Sequence, residues 1–240
     1  MRRTGRKSLA LGPAALVAGL AFCLFLQGCS PPEVVRTYEY VTDYGRMEDL
    51  YEPLLSLAYI PHETDLSRYD GVIVGDLAIG EQWIEERPQA MAYAVLLRLL
   101  LRRELESSEQ FAAVASGRQS SAYLNRPGRW LRLEGMVTGC ELGSGLMRYF
   151  SYYLLFLQSG ATDFQVEGRI LDDSTGEMLV EFADRRRGLY NTPWGPNPKT
   201  LRGEFAMTAT VRDTARSIVA FLGQAREGLP ATPAQDEQTQ

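Results

Sequence analysis

Residues 162–183 read TDFQVEGRILDDSTGEMLVEFA, and this stretch decides the fold. Its centre, 172–177, is Asp-Asp-Ser-Thr-Gly-Glu, which is typical of a tight turn because Asp and Ser side chains hydrogen-bond to nearby backbone groups and Gly adopts a positive φ. The flanking segments 162–171 and 178–183 carry the apolar residues expected of paired strands. The stretch therefore predicts a β-hairpin.

Three further strands are predicted upstream of the hairpin. Residues 69–77 contain Val72, Ile73 and Val74 in succession, which indicates a buried strand. Residues 110–115 favour a short strand, and 130–140 a longer one with partial alternation of apolar and polar residues. Together with the hairpin this makes a sheet of about five strands.

Two helices are predicted, one on each side of these strands in the chain. Residues 91–106 lack Gly and Pro and are rich in Leu, and Pro88 suits a first helical turn. Polar residues recur there every four positions and leave an apolar arc that must pack on a sheet, formed by Ala94, Leu97, Leu101 and Leu105. The second helix runs from Phe205 to about Arg226 before Gly228 and Pro230. Its apolar face is formed by Val211, Ala215, Ile218 and Leu222.

The order of these elements predicts an α+β domain, with a mixed sheet of about five strands packed by two main helices. We assign residues 44–226 to this domain, with a short helix within 44–57 and a loop rich in Pro and Gly over 185–203. Residues 29–43, which include Pro31 and Pro32, are predicted as an extended spacer. Residues 227–240 are polar and predicted to be disordered.

The first 28 residues have the pattern of a secretory signal peptide. Four basic residues, Arg2, Arg3, Arg6 and Lys7, precede an apolar stretch over 14–26, which is followed by Gln27 and Gly28. That stretch is shorter than the ~20 residues that a membrane-spanning helix needs. We expect residues 1–28 to be a cleaved signal peptide and not a transmembrane anchor.

The sequence Leu26-Gln27-Gly28-Cys29 resembles the lipobox of bacterial lipoproteins. The resemblance implies lipid attachment to Cys29, and two or more acyl chains give stable membrane anchoring. Ser30 follows the cysteine, and the resemblance then implies the outer membrane as the default destination. We therefore expect a lipid-anchored protein of the cell envelope on the periplasmic face of the outer membrane.

Composition agrees with a folded domain outside the cytoplasm. The chain is 45% hydrophobic and 23% charged, which is ordinary for a globular protein. Removal of the signal would leave 212 residues with 21 Lys and Arg against 30 Asp and Glu, a net charge of −9. This disfavours general nucleic-acid binding. Cys140 would then have no cysteine partner within the chain, and its apolar neighbours indicate a core position.

Several short motifs resemble bacterial lipoprotein families of unknown function. They are Tyr44 with Met47, Tyr59-Ile60-Pro61 leading to 66–70, Leu133-Glu134-Gly135-Met136-Val137-Thr138, and the turn at 172–177. The element order is also similar to the amino-terminal domain of TolB and to the curli-secretion lipoprotein CsgG. That similarity concerns topology, which does not fix function. If the resemblance extends to function, it implies that the protein binds protein partners or assembles into a ring.

The residues that carry enzyme chemistry are sparse. His62 is the single histidine, and it follows Pro61 in a predicted loop. Phosphate-binding and dinucleotide-binding glycine motifs do not occur, so no cofactor and no metal are expected. Carboxylates cluster at Glu81, Glu85 and Glu86 and at Asp172, Asp173 and Glu177, where solvated charge in turns is the ordinary explanation. We therefore expect that the protein is not an enzyme and has no catalytic residues.

Two other segments are candidates for an interaction surface. Residues 146–157 contain one charge and five aromatic residues, which suits either a surface that contacts a membrane or partner, or the core. Arg185-Arg186-Arg187, followed by Trp194, could contact anionic groups or could be a solvated run. The candidate residues are Tyr149, Phe150, Tyr152, Tyr153, Phe156, Arg185, Arg186, Arg187 and Trp194.

Three functions remain open from the sequence. The first is an envelope-anchored module that binds another envelope protein, in a homo-oligomer or without one. The second is a carrier of lipid or of another small apolar ligand, which requires a concave apolar pocket. The third is an envelope hydrolase that uses the carboxylate clusters.

Overall fold

A computed structural model of the protein describes residues 32–50, 54–83, 87–144, 160–188 and 202–228. Its strands are β1 Glu48–Asp49, β2 Leu57–Tyr59, β3 Gly71–Ile79, β4 Ala113–Ala115, β5 Trp130–Glu141, β6 Thr162–Asp172 and β7 Met178–Gly188. Its α-helices are α1 Arg87–Ser108, α2 Ser121–Leu124 and α3 Gly203–Arg226. Short 3-10 turns cover Tyr44–Arg46 and Glu81–Trp83.

The strands form one mixed sheet, which confirms the predicted α+β class. Within the described ranges the sheet has seven strands in the order β1-β2-β7-β6-β5-β3-β4. Strand β3 runs parallel to β4 and β5, and the remaining pairs are antiparallel. The predicted hairpin is confirmed, since β6 pairs antiparallel with β7 from Thr162↔Gly188 to Leu171↔Met178.

The prediction of about five strands was too low. The two additional strands, β1 and β2, have two and three residues, which is too short to show any periodicity. Strand β1 lies within 44–57, for which a short helix was predicted, and β2 begins at its last residue; only the 3-10 turn Tyr44–Arg46 is helical in the described part of that region. Pairing with β7 forms β2, so its conformation depends on a distant part of the chain.

Strand β7 is longer than predicted. It continues to Gly188, so Arg185, Arg186 and Arg187 lie in a strand and not in the predicted loop. Successive strand residues face opposite sides of a sheet, so Arg185 and Arg187 share one face and Arg186 lies on the other. Ion pairs with Asp163 and Asp184 allow these charged side chains to lie in the sheet.

The two long helices confirm the sequence interpretation. Helices α1 and α3 pack against each other and against the same side of the sheet. The predicted apolar arcs of both helices are at most 1% exposed. They pack on sheet residues that include Phe164, Val166, Ile170 and Phe182. Cys140 is 4% exposed in this core, as predicted.

The part of the second face formed by β6 and β7 is covered by residues 32–46, which we call the strap. Val34, Val41 and Tyr44 of the strap are buried together with Ala183 of β7. The described part of the predicted spacer, 32–43, is therefore not a free linker but packs on the domain. Among the described residues, no helix is long and apolar enough to cross a membrane.

Candidate functional site

Side chains of β6 hold the strap. Gln165 Oε1 accepts a hydrogen bond from the Val35 N–H at 2.8 Å, and Gln165 Nε2 donates to the Val35 carbonyl at 2.7 Å. Two residues further along β6, Glu167 Oε1 accepts from the Thr37 hydroxyl at 2.6 Å and Oε2 from the Val41 N–H at 2.9 Å. Because Gln165 and Glu167 are at most 1% exposed, these bonds satisfy polar groups that water cannot reach.

Ion pairs complete the contact between strap and sheet. The fully buried Glu181 accepts from Arg46 of the strap at 2.5 Å and from Arg169 of β6 at 2.9 Å. Hydrogen bonding to Glu181 raises the pKa of Arg46 above its ordinary value. Arg169 also donates to the Tyr40 carbonyl at 2.5 Å. The buried Glu181 carboxylate is therefore balanced by one arginine from the strap and one from the sheet.

Two of the predicted interaction residues belong to this network. Arg185 donates to both oxygens of Asp163, at 2.8 and 2.7 Å, and to the Glu33 carbonyl at 2.7 Å. Arg187 donates to the same Asp163 at 3.0 Å, and its side chain is 55% exposed. Both guanidinium groups are ion-paired with the one carboxylate of Asp163, so they do not form an unpaired cationic patch.

The third predicted arginine, Arg186, lies on the helix side of the sheet. Its Nε donates to Asp184 Oδ2 at 3.0 Å, and it also donates to the Leu54 carbonyl. Asp184 Oδ1 accepts from the Ser56 N–H at 3.0 Å and from its hydroxyl at 3.1 Å. Burial raises the pKa of Asp184 above its ordinary value, although these partners favour the carboxylate.

The carboxylates of the β6–β7 hairpin are structural. Asp172 and Asp173 are 3% and 5% exposed, so the expectation of solvated charge does not hold for them. Asp172 accepts from the Tyr69 hydroxyl at 2.8 Å and from the Ser174 hydroxyl at 2.5 Å. Burial opposes ionisation of Asp172, but the hydrogen bonds from Ser174, Tyr69 and the Thr175 N–H hold its pKa below the ordinary value.

Asp173 ties the hairpin to the segment between β4 and β5. It accepts from Arg118 Nε at 2.9 Å and from the Tyr123 hydroxyl at 3.0 Å. Glu177 is exposed. In the other predicted cluster, Glu81 is exposed, while Glu85 and Glu86 lie outside the described residues. The described carboxylates of the two clusters are therefore not arranged as a pair that could act together in catalysis.

The remaining chemical candidates are isolated. His62 is exposed in a turn, separated in the chain from both carboxylate clusters. In the described ranges, no group of three or more His, Cys, Asp or Glu side chains could hold a metal ion. Six predicted interaction residues lie outside the described residues: Tyr149, Phe150, Tyr152, Tyr153, Phe156 and Trp194.

Helix α1 carries an exposed apolar stripe that the sequence interpretation did not identify. Met91, Val95 and Leu99 follow each other at intervals of four residues and are 42%, 51% and 51% exposed. This spacing places them on one side of the helix. The sequence did contain a sign of this stripe. The apolar residues of α1 span a wider arc than one contact with the sheet can bury, so the residues at the edge of that arc stay exposed.

A surface cavity of about 270 Å³ adjoins this stripe. It is lined by Val74, Val95, Arg98, Leu99, Arg102 and Ser116. A second cavity, of about 210 Å³, lies next to Trp130 and Arg126. Both volumes are below the ~300 to 1,000 Å³ of typical small-molecule sites, so these cavities give the carrier hypothesis no support.

Comparisons with known proteins found likeness only among solved structures. No protein-family model matches the chain, and no curated protein matches it. A PelC dodecamer structure from Paraburkholderia phytofirmans is 13% identical with a TM-score of 0.40, covering 67% of this chain and 97% of that one. A Xanthomonas campestris protein of the DUF330 family is 14% identical with a TM-score of 0.42, covering 70% and 91%.

A candidate lipoprotein from Caulobacter crescentus is 13% identical with a TM-score of 0.35, covering 68% of this chain and 93% of that one. Likeness at these scores and identities does not indicate what this chain does. The resemblance to TolB and CsgG expected from the element order stays a prediction.

Proposed function

We propose that the protein is a lipid-anchored module of the bacterial cell envelope that binds another envelope protein and catalyses no reaction. The observation that carries the proposal is the exposed apolar stripe Met91, Val95 and Leu99 on α1. The lipobox-like sequence ending at Cys29 supports the anchor, and Ser30 supports the periplasmic face of the outer membrane. The stripe is part of the folded domain and so would be presented next to a membrane.

The stripe has the form of a protein-binding surface. Apolar residues at four-residue spacing can receive the apolar side of a partner helix or segment, with the adjoining cavity of about 270 Å³ accepting one side chain. Scattered exposed apolar residues are normal, whereas three in register beside a cavity make a continuous patch.

Charges at its edge indicate the partner's chemistry. Arg98 pairs with Asp76 at 2.5 Å, and Asp76 is 90% exposed. Arg102 pairs with Glu106 at 3.5 Å, with both side chains about half exposed. Such pairs contribute little, so a partner carboxylate can replace either acid at small cost. The preferred partner is an apolar segment flanked by acidic residues.

Crosslinking in intact cells tests the binding surface. A photoreactive residue at the exposed Arg103, next to the stripe, should give one discrete adduct. Val95→Glu or Leu99→Glu should abolish that adduct without changing the melting temperature, because a charge opposes burial of the stripe. Gln89→Glu, which adds the same charge at another exposed α1 position, should leave the adduct intact.

Two outcomes would overturn the binding proposal. An adduct that survives both stripe variants would place the partner elsewhere. An adduct with twice the mass of the chain would identify a second copy in place of a different protein. The anchor is tested separately with an alkyne fatty acid, since Cys29→Ser should abolish labelling.

A further inference from the structure

The strap fixes how far the domain can lie from its lipid. Cys29 is four residues before Glu33, whose carbonyl is held by Arg185. Four residues span at most about 14 Å when fully extended. The lipid-modified end of the chain therefore stays close to the point where Arg185 meets Asp163.

That point lies at one end of the sheet, which we call the tether end. It consists of the end of β5 at Glu141, the start of β6 at Thr162 and the end of β7 at Gly188. Glu141 pairs in register with Asp163, the carboxylate that Arg185 binds. The hairpin turn lies at the opposite end, ten residues along β5, or about 33 Å away.

The strap surface beside the tether end suits contact with lipid headgroups. Val35 and Tyr38 are 50% and 59% exposed, and a tyrosine with an apolar ring and a polar tip is favoured at membrane interfaces. Tyr38 has a φ of 57°, a left-handed conformation that costs a non-glycine residue energy. The docked strap thus keeps an aromatic residue in an unfavourable backbone conformation on its outer surface.

We infer that the outer surface of strap residues 33–38 and the tether end rest on the lipid headgroups, with the hairpin turn pointing away from the membrane. This inference rests on the proposed lipid anchor at Cys29. Among the described residues of strap positions 33–38 and the three strand ends, three arginines and three acids balance one another: Arg36, Arg185, Arg187, Glu33, Glu141 and Asp163. The contact therefore needs no anionic lipid and does not weaken with salt.

Depth-dependent fluorescence quenching tests the orientation. The full chain, processed in cells and carrying its own anchor, is reconstituted into phosphatidylcholine vesicles that contain a headgroup-attached quencher. A fluorophore is placed at Glu141→Cys or at Glu177→Cys, which is a matched pair because each replaces an exposed glutamate. The unsubstituted chain measures background labelling of Cys140, which is 4% exposed.

Quenching at residue 141 should exceed that at residue 177 several-fold, at low and at high salt. Equal quenching at the two positions in protein that floats with the vesicles would overturn the orientation and leave the anchor intact. Protein that does not float would overturn both the anchor and the orientation. These two failures are therefore distinguishable.

A variant that loosens the strap provides a second test. Gln165→Leu, Glu167→Leu and Arg185→Met together remove the hydrogen bonds to Glu33, Val35, Thr37 and Val41, while Arg187 still pairs with Asp163. The free tether then extends from four to about twelve residues, or about 40 Å of reach. Quenching at residue 141 should fall toward the value at residue 177, and unchanged quenching in a folded variant would contradict the role of the strap. If this variant does not fold, the comparison of quenching at residues 141 and 177 in the chain with an intact strap still tests the orientation.

Discussion

Gln165 pairs with Val35 as a neighbouring strand would, although the two residues are 130 positions apart in the chain. Its side-chain amide accepts from the Val35 N–H at 2.8 Å and donates to the Val35 carbonyl at 2.7 Å. These two bonds also fix which amide atom is oxygen. A segment without regular strand pairing is thereby held with its backbone groups satisfied.

Replacing Gln165 with Leu should free this part of the strap. The change keeps similar volume but removes both bonds to Val35, so we expect the free energy of unfolding to fall by about 1 to 3 kcal/mol. Hydrogen exchange at the Val35 N–H should become faster than in the unsubstituted protein. Glu177→Gln, at an exposed position, should change neither quantity. Unchanged exchange at Val35 in the Leu variant would contradict the assignment.

The elements that the sequence predicted are those with local signals. The hairpin has turn residues at 172–177, and α1 and α3 have apolar faces at helical spacing. The strap contact could not be predicted, because the alternating polar side chains of β6, such as Gln165 and Glu167, are typical of a strand facing water. Their burial depends on a segment about 130 residues away.

The site was predicted less well than the fold for the same reason. The run Arg185-Arg186-Arg187 has the composition of a cationic patch, and only the register of β7 against β6 shows that Arg185 and Arg187 face Asp163. The stripe on α1 was missed because helical periodicity shows which residues are apolar, but not how wide a strip the sheet and α3 cover.

Stability below about pH 4 should depend on Asp172. Its pKa is lower in the folded state than the ~3.9 of an unfolded aspartate, so this group contributes stability above that value. The contribution is lost as pH falls toward the folded pKa. Urea unfolding between pH 2 and 6 should therefore show a shallower pH dependence for Asp172→Asn than for the unsubstituted protein. Equal slopes would mean that Asp172 is not the group responsible.

Gly168 of β6 should not tolerate a side chain. A Cβ there would lie 2.3 Å from the Phe182 ring, which is 1% exposed and cannot move away. Gly168→Ala should cost about 1 to 3 kcal/mol through overpacking. Gly117→Ala is the control, because nothing lies within 4 Å of its Cβ position. The cost of Gly168→Ala should be smaller in a Phe182→Leu background, and an equal cost there would exclude contact with the ring as its cause.

The buried pair Asp184 and Arg186 should show that removing one partner is worse than removing both. Asp184→Ala removes the carboxylate that pairs with Arg186, whose side chain is 14% exposed. The same carboxylate accepts hydrogen bonds from the Ser56 N–H and hydroxyl, which also lose their acceptor. We expect a loss of about 3 to 5 kcal/mol, measured as a lower urea midpoint at pH 7.

The double variant Asp184→Leu with Arg186→Met removes both charges and keeps apolar volume. It should be more stable than Asp184→Ala, because burial already disfavours the ionised form of Asp184. Arg102→Met, which breaks the exposed pair with Glu106, should change stability by no more than about 0.5 kcal/mol. If the double variant lost as much as the sum of Asp184→Leu and Arg186→Met measured singly, the two side chains would be energetically independent, and the buried pair would not explain the cost of Asp184→Ala.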